Sequence, residues 1–259
     1  MKLLYSKKNF PFIVQMLFLL PPFYISCQAQ TTPEQPPFHF TDSVYIQIDS
    51  TENLYLFLPK YRDIELVCGT RPDTLDTNIV LCVPAAFTGK ILDTFYHENI
   101  AGNHVSKGKF YNGYLCDKNF VGFVYYRDGR KQILPSEQYN ALIQSDSNIV
   151  AAYEQAALIV SDTIFYPTLY KNLEKREVYR ALCEMQDGDF YIVMSKKKHT
   201  FGSFLQSLKN EIHAKNAIYM DMGPGWNHSW YLGDDKKHHL IFPYSRFSQY
   251  QTNWLIFKL

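Results

Sequence analysis

The sequence predicts a single α+β domain, mainly an antiparallel mixed sheet with a few packed helices, and three observations carry that prediction. Apolar residues alternate with polar ones over the first part of the domain, the period of half-buried strands. Further short apolar runs are separated by turn dipeptides. Helical spacing is clear in one segment only. A length of 259 residues suits one large domain or two small ones, and no repeat or linker follows residue 40.

Taken in order, Phe38, Phe40, Val44, Ile46 and Ile48 fall on even positions, and Leu54, Leu56 and Leu58 resume that parity after Asp49 to Asn53. Strands are expected over Ile64 to Cys68, Asn78 to Val83 and Val121 to Tyr126. The last leads through Asp128-Gly129, a type I′ turn signal, into Lys131 to Leu134. A weaker helix covers Ser136 to Gln144. Hairpins are expected at Ser161-Asp162, between Ala156 to Val160 and Thr163 to Tyr166, and at Asp187-Gly188, between Tyr179 to Met185 and Phe190 to Met194. From Thr200, an N-cap residue, Phe201, Phe204, Leu205, Leu208 and Ile212 follow one helix face. That helix feeds the short strand Ala217 to Met220, and Leu240 to Pro243 and Trp254 to Phe257 return to strand.

Residues 1 to 26 read as a secretory signal. Lys2, Lys7 and Lys8 precede an apolar run from Phe10 to Leu20, then Pro21-Pro22 and Ser26-Cys27-Gln28-Ala29. The run is too short to span a bilayer, which takes roughly 20 residues. Cleavage after Ala29, or before Cys27 with lipid on that thiol, are both open, and an uncleaved anchor is the third alternative. Residues 27 to 39, with three prolines, form a tether, and 40 to 259 the domain. The expected location is the periplasm or the cell surface of a bacterium, as a soluble or outer-membrane lipoprotein. Membrane attachment is expected only through a lipid anchor on Cys27.

The net charge of +1 becomes −2 once the signal is removed. Nucleic acid is therefore not an expected partner, because phosphate backbones need clustered cations. Cys68, Cys82, Cys116 and Cys183 remain in what is expected to be an oxidising compartment, either as up to two disulfides or as free buried thiols. Without a C-x-x-C no metal site is expected, and no cofactor. No G-x-S-x-G, P-loop, G-x-G-x-x-G or H-E-x-x-H occurs, which removes serine-hydrolase, nucleotide-binding and zincin chemistries.

Two segments concentrate functional side chains. Tyr219 to Tyr231 (YMDMGPGWNHSWY) delivers Asp221 from a strand into a turn containing Gly223 and Gly225, then crowds Trp226, Asn227, His228, Ser229 and Trp230 together. Flat rings and hydrogen-bonding groups at a Gly-rich turn are what a sugar site needs. Alternatively, Asp221 caps a turn and both tryptophans are core. The long loop from Pro84 to Tyr114 carries His97, His104, Lys107, Lys109, Tyr111 and Tyr114, either as functional groups or as a solvated excursion.

The stretch Thr200 to Trp230 with the hairpin before it, PAAF at Pro84 to Phe87, AGNHVSKGKF at Ala101 to Phe110, AAYEQAALIV at Ala151 to Val160 and Thr252-Asn253-Trp254 together resemble the phosphodiester glycosidase family. The resemblance spans roughly residues 40 to 259. It is closest to a branch of small exported proteins of gut-type bacteria. Pro84 stands where the family usually has Asn, and its triple-Gly-Ser turn is Met222 to Trp226 here. The resemblance implies hydrolysis of a sugar-1-phosphodiester or related glycosidic bond, and a carbohydrate or sugar-phosphate ligand. Asp221, matching the family's strand-end Asp, is the catalytic candidate, with Glu184 or Glu154 as second carboxylate and His228 as acid or base. Arg180, Lys107 and Lys109 are candidates for the anion, with His104, Gly223, Gly225, Trp226, Asn227, Ser229 and Trp230 for the rest of the substrate. The alternative is a non-catalytic carbohydrate-binding lipoprotein that retains the fold.

Overall fold

The protein is described by a computed structural model covering residues 45–89, 91–92, 94–114, 120–166, 174–223 and 225–259. The signal, the tether and Cys116 lie outside these residues. Every strand pairing among them is antiparallel. The first hairpin, Ile46–Ser50 with Leu54–Pro59, begins a large sheet that continues through Phe190–Ser195, Arg180–Glu184 and Asn216–Tyr219 to the long strand Ile149–Val160. That strand also pairs with His104–Ser106 and with Phe120–Tyr126, which carry Lys109–Tyr111 and Lys131–Pro135 at their outer edges.

A second, five-stranded sheet runs in the order His238–Phe242, Ser229–Leu232, Ile79–Pro84, Asn253–Lys258 and Asp63–Cys68. The main core lies between the two sheets. Phe57, Ile192, Leu182, Ile218, Tyr153 and Phe123 come from the large sheet, and Ile64, Leu66, Leu81, Val83, Leu255 and Phe257 from the small one. Burying an aliphatic or aromatic side chain of this size contributes roughly 1.5–3 kcal/mol. On its outer face the small sheet buries Ile79, Cys82, Trp230, Trp254 and Ile256. The protein is thus a sheet-dominated α+β fold, with α-helices Ser136–Ser145 and Phe201–Asn210 among the described residues.

The second helix forms as its spacing predicts. The Thr200 hydroxyl accepts from the Ser203 amide at 3.1 Å, and Phe201, Phe204, Leu205 and Leu208 are buried on one face. The first helix packs Tyr139 and Ile143 onto Val124, Tyr126 and Ala152. Gly122 lies beneath Tyr139, whose ring a Cβ there would meet at 1.9 Å. At Asp128-Gly129 the structure departs from the expected type I′ turn. Positive φ falls on Gly129 alone, whereas Ser161 and Asp162 both adopt it.

Two expectations for strands are corrected. The strand read as Ala156 to Val160 begins at Ile149, because nearly all twelve of its residues are buried on both faces and the period-two signal is lost. Pro84 to Tyr114 is not irregular throughout: it holds the His97–Asn99 3₁₀ turn and two three-residue strands.

Candidate functional site

The site forms at one mouth between the sheets. Beyond Asn216–Tyr219, the Met220 amide still donates to the Arg180 carbonyl at 3.0 Å, after which the chain crosses over. The Asp221 amide then donates to Ala85 O at 3.0 Å, tying the end of a large-sheet strand to the segment leaving Ile79–Pro84. Asn253 holds that segment from the other side. Its Oδ1 accepts from the Ala86 amide at 2.8 Å and its Nδ2 donates to Ala86 O at 3.0 Å. The Thr252 and Thr88 hydroxyls lie 3.1 Å apart, and Trp226 Nε1 donates to Thr88 Oγ1 at 2.8 Å. Three distant stretches of chain are thereby fixed around Asp221.

A cleft of about 650 Å³ opens here, lined by Phe87, Tyr219, Trp226, Asn227, Asp221 and Gly223 together with Lys175, Glu177 and Lys198. Asp221 is only 5% exposed. Burial pushes its carboxyl up to about 7, although N–H donors of Gly223, Thr88 and Met222 and the charge of Arg180 pull the other way. The Gly223 donor lies 3.0 Å from Oδ1. A carboxyl poised near neutrality can exchange a proton with substrate or water. Glu177 supplies a second carboxylate on the same cleft, paired with Lys175 at 3.0 Å and Lys198 at 3.9 Å.

Of the residues the sequence nominated, the structure places Asp221, Gly223, Trp226 and Asn227 on this cleft. Gly225 lies behind it with φ of +89°, where a Cβ would meet Phe247 at 2.1 Å, so only glycine fits. Arg180 is wholly buried beneath the cleft. Its Nη2 donates to Ser229 Oγ at 2.8 Å, Nη1 has no hydrogen-bond partner among the described residues, and burial lowers its pKa to about 10.

The remaining nominees lie elsewhere, for identifiable reasons. Residues 228 and 230 project from the outer face of the small sheet. Trp230 is core, and His228 faces a separate depression, hydrogen-bonded through Nδ1 to Phe242 O at 3.0 Å and held below its usual pKa by burial. Ser229 is spent on Arg180. Glu184 closes the far end of the strand that begins at Arg180, about 13 Å along it, in an ion pair with Lys215 at 2.8 Å and a bond from Asn216 at 2.7 Å. Glu154 is buried beneath the first helix, bound by Ser136 at 2.5 Å and Asn140 at 2.8 Å, its carboxyl raised by burial. Lys107 and Lys109 stand exposed on the hairpin after His104, away from the cleft, and Lys109 lies over the Tyr111 ring.

Sequence reasoning missed Glu177, Lys175 and Lys198. All three lie on or beside the two-residue strands Arg176–Glu177 and His199–Thr200, too short to leave a periodic signal. It also missed a grouping of Cys68, His97 and His104, whose ligating atoms lie within 4.8 Å of one another. His104, nominated for substrate, belongs to that group. The signal available was two histidines seven residues apart in one segment; nothing in the spacing connects Cys68 to them.

No family model and no curated protein sequence matches the chain. Among solved structures it is similar to the catalytic domain of zebrafish N-acetylglucosamine-1-phosphodiester alpha-N-acetylglucosaminidase, auto-inhibited by its pro-peptide, at 12% identity and a TM-score of 0.56, covering 83% of this chain and 82% of that one. A hypothetical protein from Synechocystis aligns at 10% identity and a TM-score of 0.42, over 83% of this chain and 61% of that one. The chain therefore has a fold related to that of a phosphodiester glycosidase catalytic domain.

Proposed function

We propose that this protein is an exported glycosidase-like hydrolase that cleaves a sugar-1-phosphodiester or a related glycosidic bond at the Asp221 cleft. The observation that carries the reading is the position of Asp221: buried, near-neutral in pKa, and facing a cleft that also presents Trp226, Phe87 and Tyr219 rings and a Glu177 carboxylate between two lysines. The similarity in fold to the zebrafish enzyme supports the reaction class.

In this mechanism the rings stack on the C–H face of the sugar, and Lys175 and Lys198 draw the phosphate. Ionised Asp221 takes a proton from the attacking water, or stabilises the positive charge developing at C1. The C1–O bond breaks, and the phosphate leaves as a weakly basic anion that needs little protonation. Export to the periplasm or cell surface, with or without lipid on Cys27, is part of the same reading and rests on the composition of residues 1 to 29.

A second reading, a non-catalytic carbohydrate-binding protein, is favoured by one observation: the Asp221 carboxylate already accepts N–H bonds from its own turn. Turnover of an N-acetylglucosamine-1-phosphate diester, by wild type and by Asp221→Asn, separates the two. The hydrolase reading expects turnover by wild type and its loss in the variant. No turnover of any sugar phosphodiester, together with retained glycan binding, selects the second reading.

A further inference from the structure

We propose that Cys68, His97 and His104 form a metal site for a thiolate-seeking ion of the Zn²⁺ class, separate from the Asp221 cleft. None of the three residues lines that cleft. They arrive from three elements: Cys68 ends the strand Asp63–Cys68, His97 opens the 3₁₀ turn His97–Asn99, and His104 begins the strand His104–Ser106.

The imidazoles are arranged as ligands. His104 Nδ1 lies 3.1 Å from the Gly102 carbonyl, an oxygen that can only accept, so the proton sits on Nδ1 and Nε2 keeps its lone pair. This bond from the distal nitrogen to a backbone carbonyl is the usual way a metal-binding histidine is oriented. His104 Nε2 faces His97 Nδ1 at 2.8 Å, and Cys68 Sγ completes the triangle within 4.8 Å. Tetrahedral zinc, with bonds of about 2.0–2.3 Å, holds its ligand atoms roughly 3.3–3.7 Å apart, so movements of about 1 Å suffice.

The surroundings fix each donor. The His97 ring stacks on Tyr111 with centroids 3.3 Å apart, and Phe95 packs against its edge at 5.3 Å. Phe95 also covers Gly69, where a Cβ would meet the ring at 2.4 Å and φ is +78°, so the residue after Cys68 is fitted to this packing. Ser106, whose hydroxyl donates to Leu66 O at 2.7 Å, also bonds Cys68.

Ligation uses both neutral rings, His104 through Nε2 and His97 through Nδ1 once the proton that bonds it to His104 has moved to Nε2. Cys68 ligates as the thiolate, its thiol proton being displaced by the ion. Binding thus exchanges one S–H bond for a metal–thiolate bond and releases one proton. His97 lies on the wall of a surface depression of about 550 Å³, which gives an ion a path in and leaves the fourth coordination position to water or an added ligand. A thiolate with two imidazoles excludes Ca²⁺ and Mg²⁺, which take oxygen.

Co²⁺ titrated into the chelator-treated full-length chain tests the proposal, because a cobalt–thiolate bond has its own charge-transfer band. Expected are a saturable one-to-one complex with that band, one proton released per ion, and displacement by Zn²⁺. Cys68→Ser should lose the band. His97→Ala, on the half-buried face, should weaken binding at least tenfold with an unchanged circular dichroism spectrum. His239→Ala, an exposed histidine outside the group, should bind as wild type does. Absence of a saturable complex, a band that survives Cys68→Ser, or recovery of Cys68 in a disulfide on non-reducing peptide mapping would overturn the proposal.

Discussion

The Asp221 cleft and the Cys68, His97 and His104 group differ in how the chain builds them. The cleft takes its buried carboxyl, the Trp226 ring and its tight turn from one stretch, Asp221 to Asn227, and adds Phe87, Lys175, Glu177 and Lys198 from elsewhere. The second group takes one ligand from each of three elements. Burial acts on both, in opposite senses: it raises the Asp221 carboxyl toward a protonated form, and it keeps two imidazoles unprotonated. One environment makes a group able to exchange protons near neutrality, the other favours neutral imidazoles with a lone pair to offer, and these suit acid–base chemistry and metal ligation respectively.

The largest expected effect tests that separation. Asp221→Asn should lower turnover of a phosphodiester substrate by about 10²–10⁴-fold while leaving the Co²⁺ complex intact. Cys68→Ser should do the reverse, losing the complex and retaining turnover. If either variant abolishes both properties, the two regions are coupled and the comparison fails.

Next in size is the dependence of stability on pH. Asp221 has a folded-state pKa near 7 against 3.8 as the reference, so the folded protein binds an extra proton between these values. Its contribution is therefore fully present below about pH 4 and is lost as pH rises through 7, a swing of at most roughly 4 kcal/mol by linkage. Denaturation of Asp221→Asn at pH 5 and pH 8 should show that slope largely removed. An unchanged slope would mean that the carboxyl ionises normally.

A smaller effect is expected at Asn253. Asn253→Ala removes both bonds to Ala86 and leaves a buried amide and carbonyl unpaired, costing about 2–4 kcal/mol in urea unfolding. Because Ala86 leads to Thr88 and thus to Trp226, the Michaelis constant should rise even in buffer where the fold persists. Smallest is Glu184→Gln, which removes the Lys215 ion pair at a partly exposed site. A loss of about 0.5–1 kcal/mol and unaltered turnover are expected; a large loss of turnover would return Glu184 to the reaction.

How much of this was legible in the sequence follows from where each signal lives. The strands over Ile46 to Ile48 and Leu54 to Leu58, the second helix and the Asp187-Gly188 hairpin are local patterns and appear where expected, as does the delivery of Asp221 at a strand end, while Phe38, Phe40 and Val44 lie outside the described residues. Trp230 and Ser229 were read as ligand contacts because they follow a glycine turn. Pairing with Ile79–Pro84 and His238–Phe242 instead makes their segment a central strand, and that pairing is non-local. Glu177 and Cys68 were invisible as site residues for the same reason: their partners are far away in sequence and carry no fixed spacing. Glu184 shows the converse, a carboxylate in the right strand at the wrong end.

The strand Asn253–Lys258 lies between Asp63–Cys68 and Ile79–Pro84 rather than at a sheet edge. Asn253 grips a segment 167 residues earlier in the chain. During synthesis, then, the two early strands must wait, with their shared neighbour unmade, until residue 258 has emerged. The small sheet, one wall of the cleft and the setting of Cys68 are all completed by that single late insertion. Contacts of such sequence separation make folding slow. Throughout elongation the waiting edges are exposed to mispairing, so the chain's vulnerable period is the interval before its last strand goes in.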